Sequence, residues 1–165
     1  MLSNKIGAHE DQQGGSMALK DLRFNVAFNE AFEKGLVLVG EIEPDTEYNA
    51  NRNAPARQKV DPLTGKRQWK ATCTDPSETN PKKSSVQVIF LADVAPVPVN
   101  PEVLPGMRAV ELENVTLQPK MTGQGEFKTI GWTVRATGIV GDNSGAKVPP
   151  NDVGASRPAR GDKAA

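Results

Sequence analysis

Few side chains in this sequence have the type and spacing for covalent or acid–base chemistry. His9 is the sole histidine and Cys73 the sole cysteine, whereas a catalytic triad or a Cys–His pair needs its members held on rigid elements around a concave site. His9 stands in a polar lead with Glu10, Asp11 and a Gly-Gly-Ser stretch, which offers no such support. Cys73 shares a strand face with Trp69 and Ala71, so it reads as a small core residue rather than a nucleophile. One cysteine and one histidine cannot supply the four ligands of a structural zinc. Gly123-Gln124-Gly125-Glu126-Phe127-Lys128 lacks the length and the hydroxyl of a phosphate-binding loop and reads as a hairpin turn. The sequence therefore assigns no catalytic residue, no metal ligand and no cofactor.

The stretch from Tyr48 to Lys70 is different. It carries six cations, Arg52, Arg57, Lys59, Lys66, Arg67 and Lys70, against the single acid Asp61, a local excess of five positive charges, with Tyr48 and Trp69 near its ends. Basic groups neutralise phosphates and aromatic rings stack on bases, so this composition suits a binder of single-stranded nucleic acid. The expectation is that these six residues contact phosphates and Tyr48 stacks, with Lys82 and Lys83 extending the patch if they fold to the same side. Lys128 and Arg135 stand further off. The competing reading is a solvated basic loop with Trp69 in the core. Over the whole chain Lys plus Arg equals Asp plus Glu at 20 each, so no bulk field draws the molecule to nucleic acid or anionic lipid, and any such binding is local.

What must position these residues is a set of strands. A chain of 165 residues with 37% apolar content, 15 Gly and 13 Pro implies one domain with part of its length outside the core. Leu36 to Glu43 is short, β-branched and closed by Pro44-Asp45, which predicts the first strand. Gln68 to Thr74 alternates, with Trp69, Ala71 and Cys73 on one face, and predicts the second. Ser85 to Ala92 is continuously apolar and predicts a central strand covered on both faces. Ala109 to Gln118 changes its inward parity between Glu113 and Asn114, which predicts a β-bulge. Ile130 to Val140 alternates, placing Trp132, Val134, Ala136 and Gly138 opposite Thr133, Arg135, Thr137 and Ile139. Between the third and fourth strands the Pro-rich run Pro96 to Pro105 must be an extended surface connector. From Phe24 to Phe32 the spacing is mixed and favours a short helix ending at Gly35.

Five strands in this order predict a mainly β fold, a small five-stranded Greek-key barrel of the OB type, with a compact β-sandwich as the alternative. In OB folds the connection between the first two strands is a recurring contact site, and here it is the basic stretch. The domain is expected over residues 19–140, with a disordered lead at 1–18 and a disordered tail at 141–165. Met17 is an alternative start to Met1. The polar N-terminus has no signal-peptide core and no run approaches the ~20 apolar residues that span a bilayer, so the expectation is a cytoplasmic protein without a membrane partner. The single cysteine fits that compartment.

The residues also resemble a family. Met17-Ala18-Leu19, Phe32 and Gly35 before the first strand, Asp61-Pro62-Leu63-Thr64-Gly65 leading to Trp69, Asp75-Pro76, and Val134-Arg135-Ala136-Thr137-Gly138 follow the order and spacing of the plasmid replication, integration and excision activators of actinobacterial integrative plasmids. The segment Val110 to Pro119 is similar to a strand of those proteins, with Leu112 and Asn114 in place of an aromatic residue and a glycine. The similarity covers about Met17 to Ile139. It implies a non-enzymatic accessory of a mobile element acting on expression or processing of element DNA. Nothing in the sequence has a helix-turn-helix pattern, so a barrel gripping single-stranded DNA is the expected mode of action. The alternative is an adaptor that holds a replication or excision protein through strand edges or the Pro96 to Pro105 connector. Self-association into a homo-oligomer is allowed by either reading.

Overall fold

The chain turns its β-branched runs into one large curled sheet. A computed structural model describes residues 21–144, so the predicted lead and most of the predicted tail, with His9 and Met17, lie outside the described residues. The described part is mainly β, with strands β2 (Leu36–Pro44), β3 (Gln68–Thr74) and β4 (Ser85–Leu91) forming an antiparallel meander. β9 (Thr129–Ala136) then lies parallel to β4, and β8 (Thr116–Thr122) antiparallel to β9. On the other side of β2 come β6 (Met107–Val110) and the short edge strand β5 (Glu102–Leu104), while β1 (Phe24–Asn25) pairs with β8. A parallel pair inside an otherwise antiparallel sheet requires a long crossover from β4 to β9, and the Pro-rich connector together with the β5–β8 chain provides it.

The curl follows from one stretch of chain. Residues 107–122 hold β2 through β6 at one end and β9 through β8 at the other, so the two sides of the sheet are joined by a single bent segment. Around residues 111–115 that segment leaves the large sheet, and β7 (Leu112–Glu113) pairs instead with β10 (Gly138–Ile139). The described strands thus number eight in the large sheet and two in the small one, where five were expected, and the large sheet is mixed and does not close into a barrel, its hydrogen bonding being interrupted at this corner. The parity change predicted between Glu113 and Asn114 falls there, but as a break between β7 and β8 rather than as a bulge, since the pairing register is the same on both sides of it. Asn114 has φ 50, the sole described non-glycine residue with positive φ, and its side-chain amide donates to Thr137 Oγ1 at 2.8 Å. Asparagine tolerates the left-handed region better than most residues.

The core lies inside the curl. Leu36, Leu38, Ala71, Cys73, Val88, Phe90, Val110, Leu112, Val115, Val134, Ala136 and Ile139 are buried there, closed at one end by Phe32. Three expectations change. β4 is covered on one face only, because Gln87 is exposed and Ile89 half-buried, so its apolar run overstated its burial. The last strand breaks at Thr137, whose amide N–H turns to Glu113 O. That break starts a new pairing with β7 and buries Ile139 beside Gly138, whereas simple alternation placed Ile139 outside. The predicted helix shrinks to one turn, α1 (Phe28–Ala31), preceded by extended β1. Gly35, at φ 75, donates to Phe32 O and turns the chain into β2, as a glycine after a helix commonly does.

Candidate nucleic-acid interface

Between β2 and β3 the chain makes a 23-residue excursion that is irregular but tightly bonded. Its base is a ladder: Asp45 N–H donates to Gln68 O, Lys59 N–H to Asp45 O, Gln68 N–H to Lys59 O and Glu47 N–H to Arg57 O. The Gln58 side-chain amide also donates to Gln68 O at 2.8 Å. Thr46 bridges Gln58, and Val60 bridges Arg67, so the excursion has two lobes. In the first, Asn49 and Asn51 cap the backbone two residues on, which is the local turn chemistry of asparagine. Arg52 lies at that tip and Arg57 near its base.

The second lobe is organised by Asp61, which has no solvent-accessible surface. Its carboxylate accepts from both terminal nitrogens of Arg23, from the Thr64 N–H at 3.1 Å and from the Thr64 hydroxyl at 2.8 Å. Its backbone closes the same turn, with Gly65 N–H donating to Asp61 O and Asp61 N–H to Lys66 O. Burial alone would raise the Asp61 carboxyl, but the Arg23 guanidinium and the Thr64 donors outweigh it and hold the group below its ordinary value. A forked guanidinium on a carboxylate is the geometry that compensates such a charge. Arg23 comes from the segment before β1, so the clamp ties the start of the described chain to the loop.

This bonding sorts the predicted phosphate contacts. Lys59 pairs with Asp45 at 3.1 Å and Lys66 with Asp93. Arg52, Arg57 and Arg67 are exposed and form no ion pair among the described residues. Lys70 is half-buried on the outer face of β3, beside Glu43 in register. Tyr48 is 94% exposed. The one predicted counter-acid, Asp61, is neutralised internally and subtracts nothing from the surface charge. Glu47 remains as an exposed acid next to Tyr48.

Lys82 and Lys83 do not join this group. They stand in the turn between β3 and β4, at the far end of β3 from Lys66 and Arg67, and seven extended residues separate the two ends by roughly 20 Å. Because β9 runs parallel to β4, the turn holding Lys128 lies at that far end as well. Arg135 is engaged, donating to Gln118 Oε1 at 2.6 Å. Burial and the neighbouring Arg23 both lower its pKa.

The other candidate groups are placed by the core. Trp69 is half-buried against it and donates Nε1–H to Ala92 O at 3.0 Å, so its ring is used in packing. Cys73 is fully buried, and desolvation pushes its thiol up to about 12, which leaves no thiolate at neutral pH. Among the described residues there is no group of three or more His, Cys, Asp or Glu that could hold a metal ion, and no helix is long and apolar enough to cross a membrane.

Arg23 is the residue that sequence reasoning missed. Its partner lies 38 positions away, and the only local signal was Asp61-Pro62-Leu63-Thr64-Gly65, whose Asp and Thr mark a self-capped turn. Comparison of the chain with protein-family models, curated proteins and solved structures finds no match.

Proposed function

We propose that this chain is a non-enzymatic accessory protein that binds single-stranded DNA through the loop between β2 and β3. Its setting would be the replication, integration or excision of an integrative plasmid or similar mobile element. The loop carries the reading: Arg52, Arg57, Arg67 and Tyr48 stand exposed on one hydrogen-bonded excursion, while two of its three acids, Asp45 and Asp61, are occupied by Lys59 and Arg23, leaving Glu47. Cations on a braced backbone lose less conformational freedom on meeting phosphate than cations on a free loop. Arginine also presents the fork that grips phosphate oxygens in pairs. The mobile-element setting rests on the residues quoted above from the sequence, Asp61-Pro62-Leu63-Thr64-Gly65 before Trp69 foremost among them.

The adaptor alternative draws less support, because the Pro-rich connector is folded onto the domain. Pro96 is buried, Val97 N–H donates to Asp142 Oδ1, and the Asn100 side-chain amide donates to Ala109 O while Asn100 O accepts from Arg108. What it leaves open is the outer edge of β5, only three residues long.

The test is a fluorescence anisotropy titration of a labelled oligothymidylate at low salt, repeated with a duplex. Binding should fall with salt, weaken for the duplex, and lose about 2 from its log–log salt slope in the Arg52→Ala, Arg57→Ala, Arg67→Ala triple variant, at ~0.7 per phosphate on a single strand. No anisotropy change at low salt would sink the proposal.

A further inference from the structure

The β8–β9 hairpin is longer than the core it helps to cover. On its core-side face Leu117 lies opposite Val134, Pro119 opposite Trp132, and Met121 opposite Ile130. The first row packs into the core. The next two run past it, leaving Trp132 51%, Met121 66% and Ile130 70% exposed, with Phe127 at the tip 85% exposed. Pro119 is exposed too. These five side chains present on the order of 500 Å² of apolar surface, in the upper range for the largest patch on a monomeric protein. The opposite face of the ribbon holds Gln118, Lys120, Thr122, Thr129 and Thr133, so the ribbon is amphipathic with its apolar side in solvent.

We propose that this face is where two copies of the chain meet about a two-fold axis. Trp132 and Phe127 are flat rings of the kind that stack on bases, but Pro119, Met121 and Ile130 supply aliphatic and thioether bulk of the kind that fills interface cores. Its charges fit a copy of itself. A two-fold axis sets a patch against the same patch, and the tip bears both signs, Glu126 beside Lys128, so the acid of one copy can face the lysine of the other. The molecule as a whole has no net charge to keep copies apart.

Geometry selects face-to-face contact over edge-to-edge. Past Leu117 no described strand continues on the outer side of β8, but Pro119 in that stretch has no N–H to donate, and proline on an edge discourages strand addition. Two ribbon faces can instead stack as sheets do. Together they would bury about 1,000 Å², the low end for a specific interface, which makes the dimer weak and concentration-dependent. The basic loop, at the other end of β3, stays free in it.

Sedimentation velocity on the full chain over a dilution series tests this. The expected result is a reversible monomer–dimer equilibrium that shifts at least tenfold toward monomer in Ile130→Glu and in Trp132→Glu, and is unchanged in the triple arginine variant. Both substituted side chains are exposed, and a thermal melt at low concentration confirms that the variants fold. A wild-type chain that remains monomeric through about 1 mM, or a dimer that both glutamates leave intact, would overturn the proposal. So would a monomeric wild type whose affinity for oligothymidylate falls in Trp132→Glu, which assigns the face to nucleic acid.

Discussion

The two ends of this sheet make opposite use of their backbone. At one end the 45–67 loop has almost no regular structure, yet nearly every turn in it is bonded and a buried ion pair sits at its centre. At the other the β8–β9 hairpin is fully regular, yet beyond Leu117 and Val134 its apolar face stands largely exposed among the described residues. Regular hydrogen bonding and burial are therefore separate properties. The ladder satisfies backbone groups wherever it runs, whereas side chains are covered only where another layer lies across from them. Rigidity at the loop comes from charge and turn chemistry, and at the hairpin from the ladder alone.

The largest effect should come from removing the charge at the centre of the loop. Asp61→Ala leaves Arg23 without its carboxylate and the Thr64 donors without an acceptor, and breaking a buried pair in this way costs about 3 kcal/mol. Urea unfolding at neutral pH should show that loss; a cost below about 1 kcal/mol would mean that the loop is not braced by Asp61. The pH dependence gives the sign. Because the folded carboxyl titrates below its ordinary value, its stabilisation is complete above the unfolded pKa of about 4 and is lost as pH falls through the lower folded value. The gap between wild type and Asp61→Ala should accordingly be constant near neutrality and close below about pH 4.

A smaller effect is expected at the hairpin, where the turn is the vulnerable point. Gly123 adopts φ 87, and a Cβ there would lie 2.2 Å from Phe127 O. Gly123→Ala should cost about 1 kcal/mol or somewhat more, and hydrogen exchange should quicken in β8 and β9 beyond Lys120 while the 45–67 loop keeps its protection. If the loop amides quicken as well, the two ends are one cooperative unit and the contrast between them fails.

Much of this contrast was legible in the sequence, for identifiable reasons. Alternation in Gln68 to Thr74 reports burial because β3 has the core on one side and solvent on the other, and the parity change at Glu113–Asn114 marks a left-handed residue that breaks the strand, where a bulge was expected. The same alternation misled at Trp132, because periodicity tells which face a residue shares and not how far the opposing layer extends. Trp132 does share a face with Val134, but the core ends between them. The basic composition from Tyr48 to Lys70 located a cationic loop, yet charge counting could not separate free arginines from paired lysines. Asp45 and Asp93 meet Lys59 and Lys66 only after folding. Arg23 was invisible for the same reason, as its carboxylate arrives from a distant turn.

The smallest effect separates those two kinds of cation within the loop. Lys66 and Asp93 are both well exposed, and a pair in solvent gains little over two hydrated ions, so Lys66→Ala should change stability by no more than about 0.5 kcal/mol. This is the counterpart of Asp61→Ala, one loop with one pair inside and one outside. Its consequence for binding is sharper. To reach a phosphate Lys66 must leave Asp93, which then stands uncompensated beside the incoming anion, whereas Arg67 has no described partner to give up. Arg67→Ala should thus weaken oligothymidylate binding more than Lys66→Ala, and Asp93→Asn should strengthen it by releasing Lys66. Equal losses for the two cations, with no gain from Asp93→Asn, would mean that phosphate reads only the net charge of this end of the sheet and not the pairing inside it.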